Sequence, residues 1–172
     1  MIKLTVPDKT EAADYYFTYI DQVAGSDICQ ILETQLSDTL AFLKSISEDQ
    51  SLGRYAPGKW SMRQLLSHVT DTERAFVFRA LWFARGFESP LPSYDQDISV
   101  AGADADSRSW LSHVEEFHAA RNATLAFFRN LSDDMWFRRG VAAGNPFAVR
   151  ALAFISAGHV THHMRILRER YL

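Results

Sequence analysis

The chain has 172 residues, 47% of them hydrophobic and 23% charged, with a net charge of -3. That length fits one domain with its own core, and the balance is that of an ordinary globular protein. The lysines and arginines are scattered among acids, which excludes the dense basic field that nucleic acid requires, and the single Cys29 excludes an internal disulfide and a cysteine-based zinc site.

Residues 1–25 open with "MIKLTVPDKTEAAD", which has no apolar run, so no secretory signal is expected. No later apolar segment approaches about 18 residues, so nothing is expected to span a membrane, and the expected location is cytoplasmic. "DYYFTYIDQV" makes this region an aromatic-rich arm laid on the surface of a domain covering 26–172. Exposed aromatic residues on such an arm leave room for a homodimer.

Four helical stretches follow. The first, after "GSD", has Ser26 or Asp27 as its cap and runs through Leu43, with apolar residues at 28, 31, 32, 36, 40 and 43. Cys29 lies in this pattern with no histidine nearby and reads as a core or interface residue. "APGKWS" breaks the chain, and Ser61 caps a second helix over about 61–86 carrying Leu65, Val69, Phe76 and Phe83. A long connection, "FESPLPSYDQDISVAGADAD", suits a crossover or a lid. Asp106 or Ser107 opens the third helix, with Trp110, Val114, Phe117, Leu125 and Phe128. "GVAAGNPF" is the last break, and the fourth helix runs from Phe147 to the end. Strand signals are weak, with no Asn-Gly hairpin. The expected fold is all-α, a four-helix bundle with a long connection between the second and third helices. The aromatic share of 13% is first of all core filling.

Half of the six histidines fall in "GHVTHHMRILRERYL". At about 100° per residue, His159 and His163 lie within about 40° of each other. They sit in the stripe of Leu152, Ile155 and Ile166, while His162 lies at its edge, about 60° away. Residues four apart stack one turn above the other, so both imidazoles can reach one point, the H-x-x-x-H arrangement of a metal chelate. Two neutral imidazoles in an apolar stripe leave polar atoms to satisfy, and a cation satisfies them. A site needs a third ligand. His68 lies beside the stripe of the second helix; His113 and His118, among Glu115 and Glu116, are expected to be solvated. Helical geometry alone prefers none of these.

"GKWSMRQLLSHVTDTERAFVFRALWFARG", "LPSYDQD" and "AGHVTHHMRILRERYL" resemble the DinB/YfiT-like metalloenzyme family over nearly the whole chain. The resemblance implies a divalent metal held by one histidine of the second helix and the pair on the fourth, here His68, His159 and His163. It also implies thiol S-transfer or thiol-dependent isomerisation, with a low-molecular-weight thiol and another small molecule as substrates. Three imidazoles with an open position describe a catalytic rather than a structural zinc-type site, in which the metal lowers the pKa of what it binds. Zinc is the default metal; nickel, copper and iron also suit imidazole. Metal-water hydrolysis is the other chemistry open to such a site. The alternative is a non-catalytic metal-binding bundle serving as an interaction or stress-response module, and a further one is a metal-free pH switch.

Arg121 falls in the middle of the third helix's apolar stripe and requires a carboxylate partner, with Glu73 and Asp71 as candidates. These three are the residues expected to support the metal ligands: Asp71 by orienting the His68 imidazole, Glu73 and Arg121 as an ion pair that is either structural or catalytic. Asp95 and Asp97 are read as capping or solvated-loop residues near a mouth, and Trp60 and Trp82 as packing.

Overall fold

The computed structural model describes residues 4–23, 25 and 27–172. Four long helices carry the fold: α1 (Ile28–Leu43), α2 (Met62–Ala84), α3 (Trp110–Arg129) and α4 (Val149–Ile166). Each start has a local cause. The Asp27 carboxylate accepts the Gln30 N–H at 3.0 Å; the other candidate cap, Ser26, lies outside the described residues. Ser61 and Gln64 form a capping box at α2, satisfying two of the free N–H groups of the first turn. α3 begins later than expected, capped by Ser109. Asp106 and Ser107 instead belong to a 3-10 turn, and the Asp106 carboxylate is taken by Ser61 and Arg54. α4 ends in a wider π turn, Leu167–Tyr171.

The bundle is not wound as two helical hairpins. α2 packs on α3 and α4, and α1 packs on the same two helices, so α1 stands across the bundle from α2, and α3 across from α4. Leu66, Val69 and Phe83 of α2, Phe117 and Phe128 of α3, and Leu152 and Ile155 of α4 are buried between them. Each such side chain contributes about 1.5–3 kcal/mol of apolar burial.

The break before α4 is a hairpin rather than irregular loop. β1 (Arg139–Ala142) pairs antiparallel with β2 (Asn145–Ala148), joined by Ala143 and Gly144 with φ of 51° and 74°. Two positive φ angles in a two-residue loop give the turn whose twist matches a hairpin, built here without the usual Asn-Gly pair. The α2–α3 connection is fastened to this hairpin: Leu91 donates to the Val141 carbonyl and accepts from Ala143 N–H, at 2.9 and 3.0 Å. A short helix, Gln96–Gly102, follows, and Asp95 caps it by accepting from Asp97 and Ile98 N–H.

The N-terminal arm goes deeper than a surface layer. A turn of helix, Phe17–Ile20, packs on α4 with Phe17, Ile20 and Val23 buried, and Glu11 pairs with Arg150. Gly158 permits this contact, because a β-carbon there would overlap the Tyr19 carbonyl oxygen.

Candidate metal centre

His68 leaves the second turn of α2, and His159 and His163 leave successive turns of α4, the helix packed beside it. The three imidazoles meet in the core. His68 Nε2 lies 3.2 Å from His159 Nε2, and His163 Nε2 lies 3.0 Å from the same atom. One ligand atom from each falls within 4.8 Å of the others, and all three residues are buried. Burial pushes the His68 imidazole down to about 4 and that of His163 to about 3, and holds His159 well below its ordinary value. For His159 and His163, neighbouring histidines add to the effect. The cluster is therefore neutral near pH 7, and its ring nitrogens are available as ligands.

The donor set fits a divalent cation. In their Nδ1–H tautomers, three neutral imidazoles facing through Nε2 place lone pairs against one another, and a positive charge between them removes that conflict. Tetrahedral ligands at zinc–nitrogen lengths stand about 3.3 Å apart, close to the spacings here. His68 Nδ1 lies 3.3 Å from Thr72 Oγ1, so the tautomer that frees Nε2 donates its Nδ1–H to the threonine. His163 Nδ1 is buried with no partner among the described residues. Trp60 covers His68 with ring centroids 5.0 Å apart, and Tyr19 and Phe76 stand edge-on to His159.

Beside the cluster is a cavity of about 160 Å³. His68 and His159 form part of its wall, with Thr72, Phe76 and Arg79 of α2 and Tyr15, Tyr16 and Tyr19 of the arm. Ser93, Tyr94 and Gln96 of the α2–α3 connection cover it, and no carboxylate lines it among the described residues. A larger, open groove of about 650 Å³ lies between α1 and α4, and no histidine lines it among the described residues.

The family model for the DinB superfamily matches residues 31–167. This chain belongs to the DinB superfamily. Its fold is similar to that of YfiT from Bacillus subtilis, described as a probable metal-dependent hydrolase with an unusual four-helix bundle topology. The two share 17% identity at a TM-score of 0.70, over 96% of this chain and 93% of YfiT. It is also similar to the mycothiol-dependent maleylpyruvate isomerase, at 14% identity and a TM-score of 0.68. That likeness covers 84% of this DinB chain but 61% of the isomerase. A mutant of the isomerase with one histidine replaced by alanine matches with the same TM-score of 0.68. No curated protein sequence matches significantly.

The other singled-out residues separate by position. Arg121 donates from Nε and Nη2 to the two Glu73 oxygens, at 2.8 Å each, and also to Gln35. Thr124 donates to the same carboxylate. This network ties α3 to α2 and α1 and does not line the cavity. Asp71 accepts from Arg74 at 3.0 Å, and the partner of the His68 ring is Thr72. His113, expected in solvent, is buried because Nε2–H donates to the Ala105 carbonyl at 2.8 Å and Nδ1 accepts from Arg108. His118 is exposed. His162 is half-buried beside Tyr19. Trp82 stacks on Phe87. Absent from the sequence reading is Arg79. It lies about 20° from His68 around α2, eleven residues on, and that coincidence of face was the available signal.

Proposed function

We propose that this DinB-superfamily protein is a metal-dependent enzyme acting on a small molecule, with one divalent cation held by His68, His159 and His163. The convergence of three buried Nε2 atoms carries this reading. The metal when bound supplies Lewis acidity and lowers the pKa of a thiol or water at its remaining position.

Transfer of a thiol to an electrophile is the reaction favoured here. Hydrolysis gains from a base that takes the proton from water in the reacting complex, and the cavity offers tyrosine, serine and glutamine side chains but no carboxylate among the described residues. A thiol starts from an ordinary pKa of about 8.5, far below that of water, so it ionises on the metal with its proton passing to solvent and depends less on a base. The kinship with a mycothiol-dependent isomerase agrees with this choice. Thr72 orients His68, the low pKa values keep the rings neutral, and Tyr19, Trp60 and Phe76 exclude water from around them.

Elemental analysis of protein purified without a histidine tag, and of the His163→Ala variant, tests the ligands. Turnover is followed with a panel of low-molecular-weight thiols and electrophiles. The wild type is expected to hold one divalent ion per chain and the variant to lose both the ion and turnover. Stoichiometric metal with unchanged turnover in the variant overturns the assignment.

A further inference from the structure

Among the described residues four arginines are buried, and three have glutamate partners. Arg63 pairs with Glu48, Arg121 with Glu73 and Arg150 with Glu11. Arg79 is the exception. It is 6% exposed, yet no hydrogen bond or ion pair holds its guanidinium among the described residues. The residues outside that description, 1–3, 24 and 26, carry no acidic side chain. Its aromatic neighbour is Phe147, with the guanidinium carbon 6.0 Å from the ring centroid, at the outer limit of a cation–π contact. Its nitrogens are not sealed from solvent as His163 Nδ1 is, so the charge is met through the cavity that Arg79 lines, where a ligand of opposite charge can replace water.

The position of Arg79 says where that ligand lies. It lines the 160 Å³ cavity that His68 and His159 also line. On α2, His68, Thr72, Ala75, Phe76 and Arg79 span about 100° of arc, and the rise per residue separates His68 from Arg79 by about 16 Å along the axis. The Arg79 side chain leans back towards the N-terminus of α2, as helical side chains do, and so shortens that gap within the chamber that the histidines also line.

We propose that Arg79 anchors a carboxylate of the small molecule that enters this cavity. The inference rests on the reading of the histidine cluster as a reaction centre and adds the chemical class of its substrate: a small organic acid whose carboxylate is held at Arg79 in the chamber that the histidines also line. The planar fork of a guanidinium matches a carboxylate through two parallel N–H···O bonds. One guanidinium balances one negative charge, and no lysine or second arginine lines the cavity among the described residues to meet a phosphate dianion. The volume is close to that of cavities holding a molecule of benzene size, about 150 Å³.

The test uses butyrate, its neutral isostere butyramide and inorganic phosphate, titrated by NMR into zinc-loaded and into EDTA-stripped protein. Butyrate is expected to bind at least tenfold more tightly than butyramide in both forms, and more tightly than phosphate. Arg79→Met is expected to abolish that ratio and keep its metal content; Arg79→Lys is expected to keep part of the ratio. Equal affinity of acid and amide for the wild type, a preference that survives Arg79→Met or vanishes on stripping, or tighter phosphate binding overturns the proposal. The wild-type comparison needs no variant to fold. Metal content measured on the same samples separates the two readings: an acid preference at Arg79 without stoichiometric metal sinks the metalloenzyme and leaves the anion site.

Discussion

The carbonyl oxygen of Tyr19 occupies the space where Gly158 would carry a β-carbon. The Tyr19 ring in turn stands 5.3 Å from that of His159, so a backbone contact sets the distance between the arm and the histidine cluster. Gly158→Ala is expected to push the arm off α4, costing about 1–3 kcal/mol as overpacking does. Thermal unfolding measures that loss, and a competition titration with a chelating dye is expected to show weakened metal binding.

Thr72 is the partner of the His68 ring, with Oγ1 3.3 Å from Nδ1. Thr72→Val removes the acceptor at nearly constant volume. Metal affinity is expected to fall about 10-fold or more, as it does when such partners are lost, and Thr72→Ser is expected to restore most of it. Equal dissociation constants for all three proteins would show that the threonine does not orient the ring.

The Glu73–Arg121 pair is expected to behave as structure. Arg121→Met leaves the Glu73 carboxylate buried without its cation and should cost about 3–5 kcal/mol in chemical denaturation. Metal stoichiometry of the folded fraction is expected to be unchanged, since the pair does not line the cavity.

The metal-free protein should be acid-sensitive in a definite window. His68 and His163 titrate at about 4 and about 3 when folded, against 6.5 in the open chain, and His159 is also depressed. Above pH 6.5 neither state binds these protons and the histidines exert no pH dependence. Below it the unfolded chain takes them up first, so stability falls as pH drops towards 4 and 3, by about 1.4 kcal/mol per pH unit per histidine. Urea midpoints of chelator-treated protein between pH 7 and 4 measure the slope, and saturating zinc is expected to raise every midpoint in that range without removing the slope. A midpoint constant over that range would contradict the burial of neutral rings.

Much of the bundle is legible in local pattern. Ser61 and Asp27 announce their helices, and four-residue spacing alone puts His159 and His163 on one line. What local pattern lacks is adjacency between helices. His68 comes from the family resemblance, because only the packing of α2 against α4 brings it to residues 91 positions away. The same gap hides Arg79, since the absence of a glutamate opposite it is a property of the assembled interior. His113 reads as solvated from its acidic neighbours, yet a carbonyl from the preceding turn buries it. The hairpin escapes notice because Ala143 and Gly144 adopt a turn usually marked by asparagine and glycine.

With α1 across from α2 and α3 across from α4, sequential helices meet as neighbours only where the long connection joins α2 to α3. Neither half of the polypeptide can therefore collapse into a self-sufficient helical hairpin. The interior closes only when the last segment inserts between partners made much earlier, so assembly depends on distant pairings and should be slow for a helical protein of this size. That helix also carries two of the three imidazoles, so the chelating pocket is complete only when α4 is seated against α2.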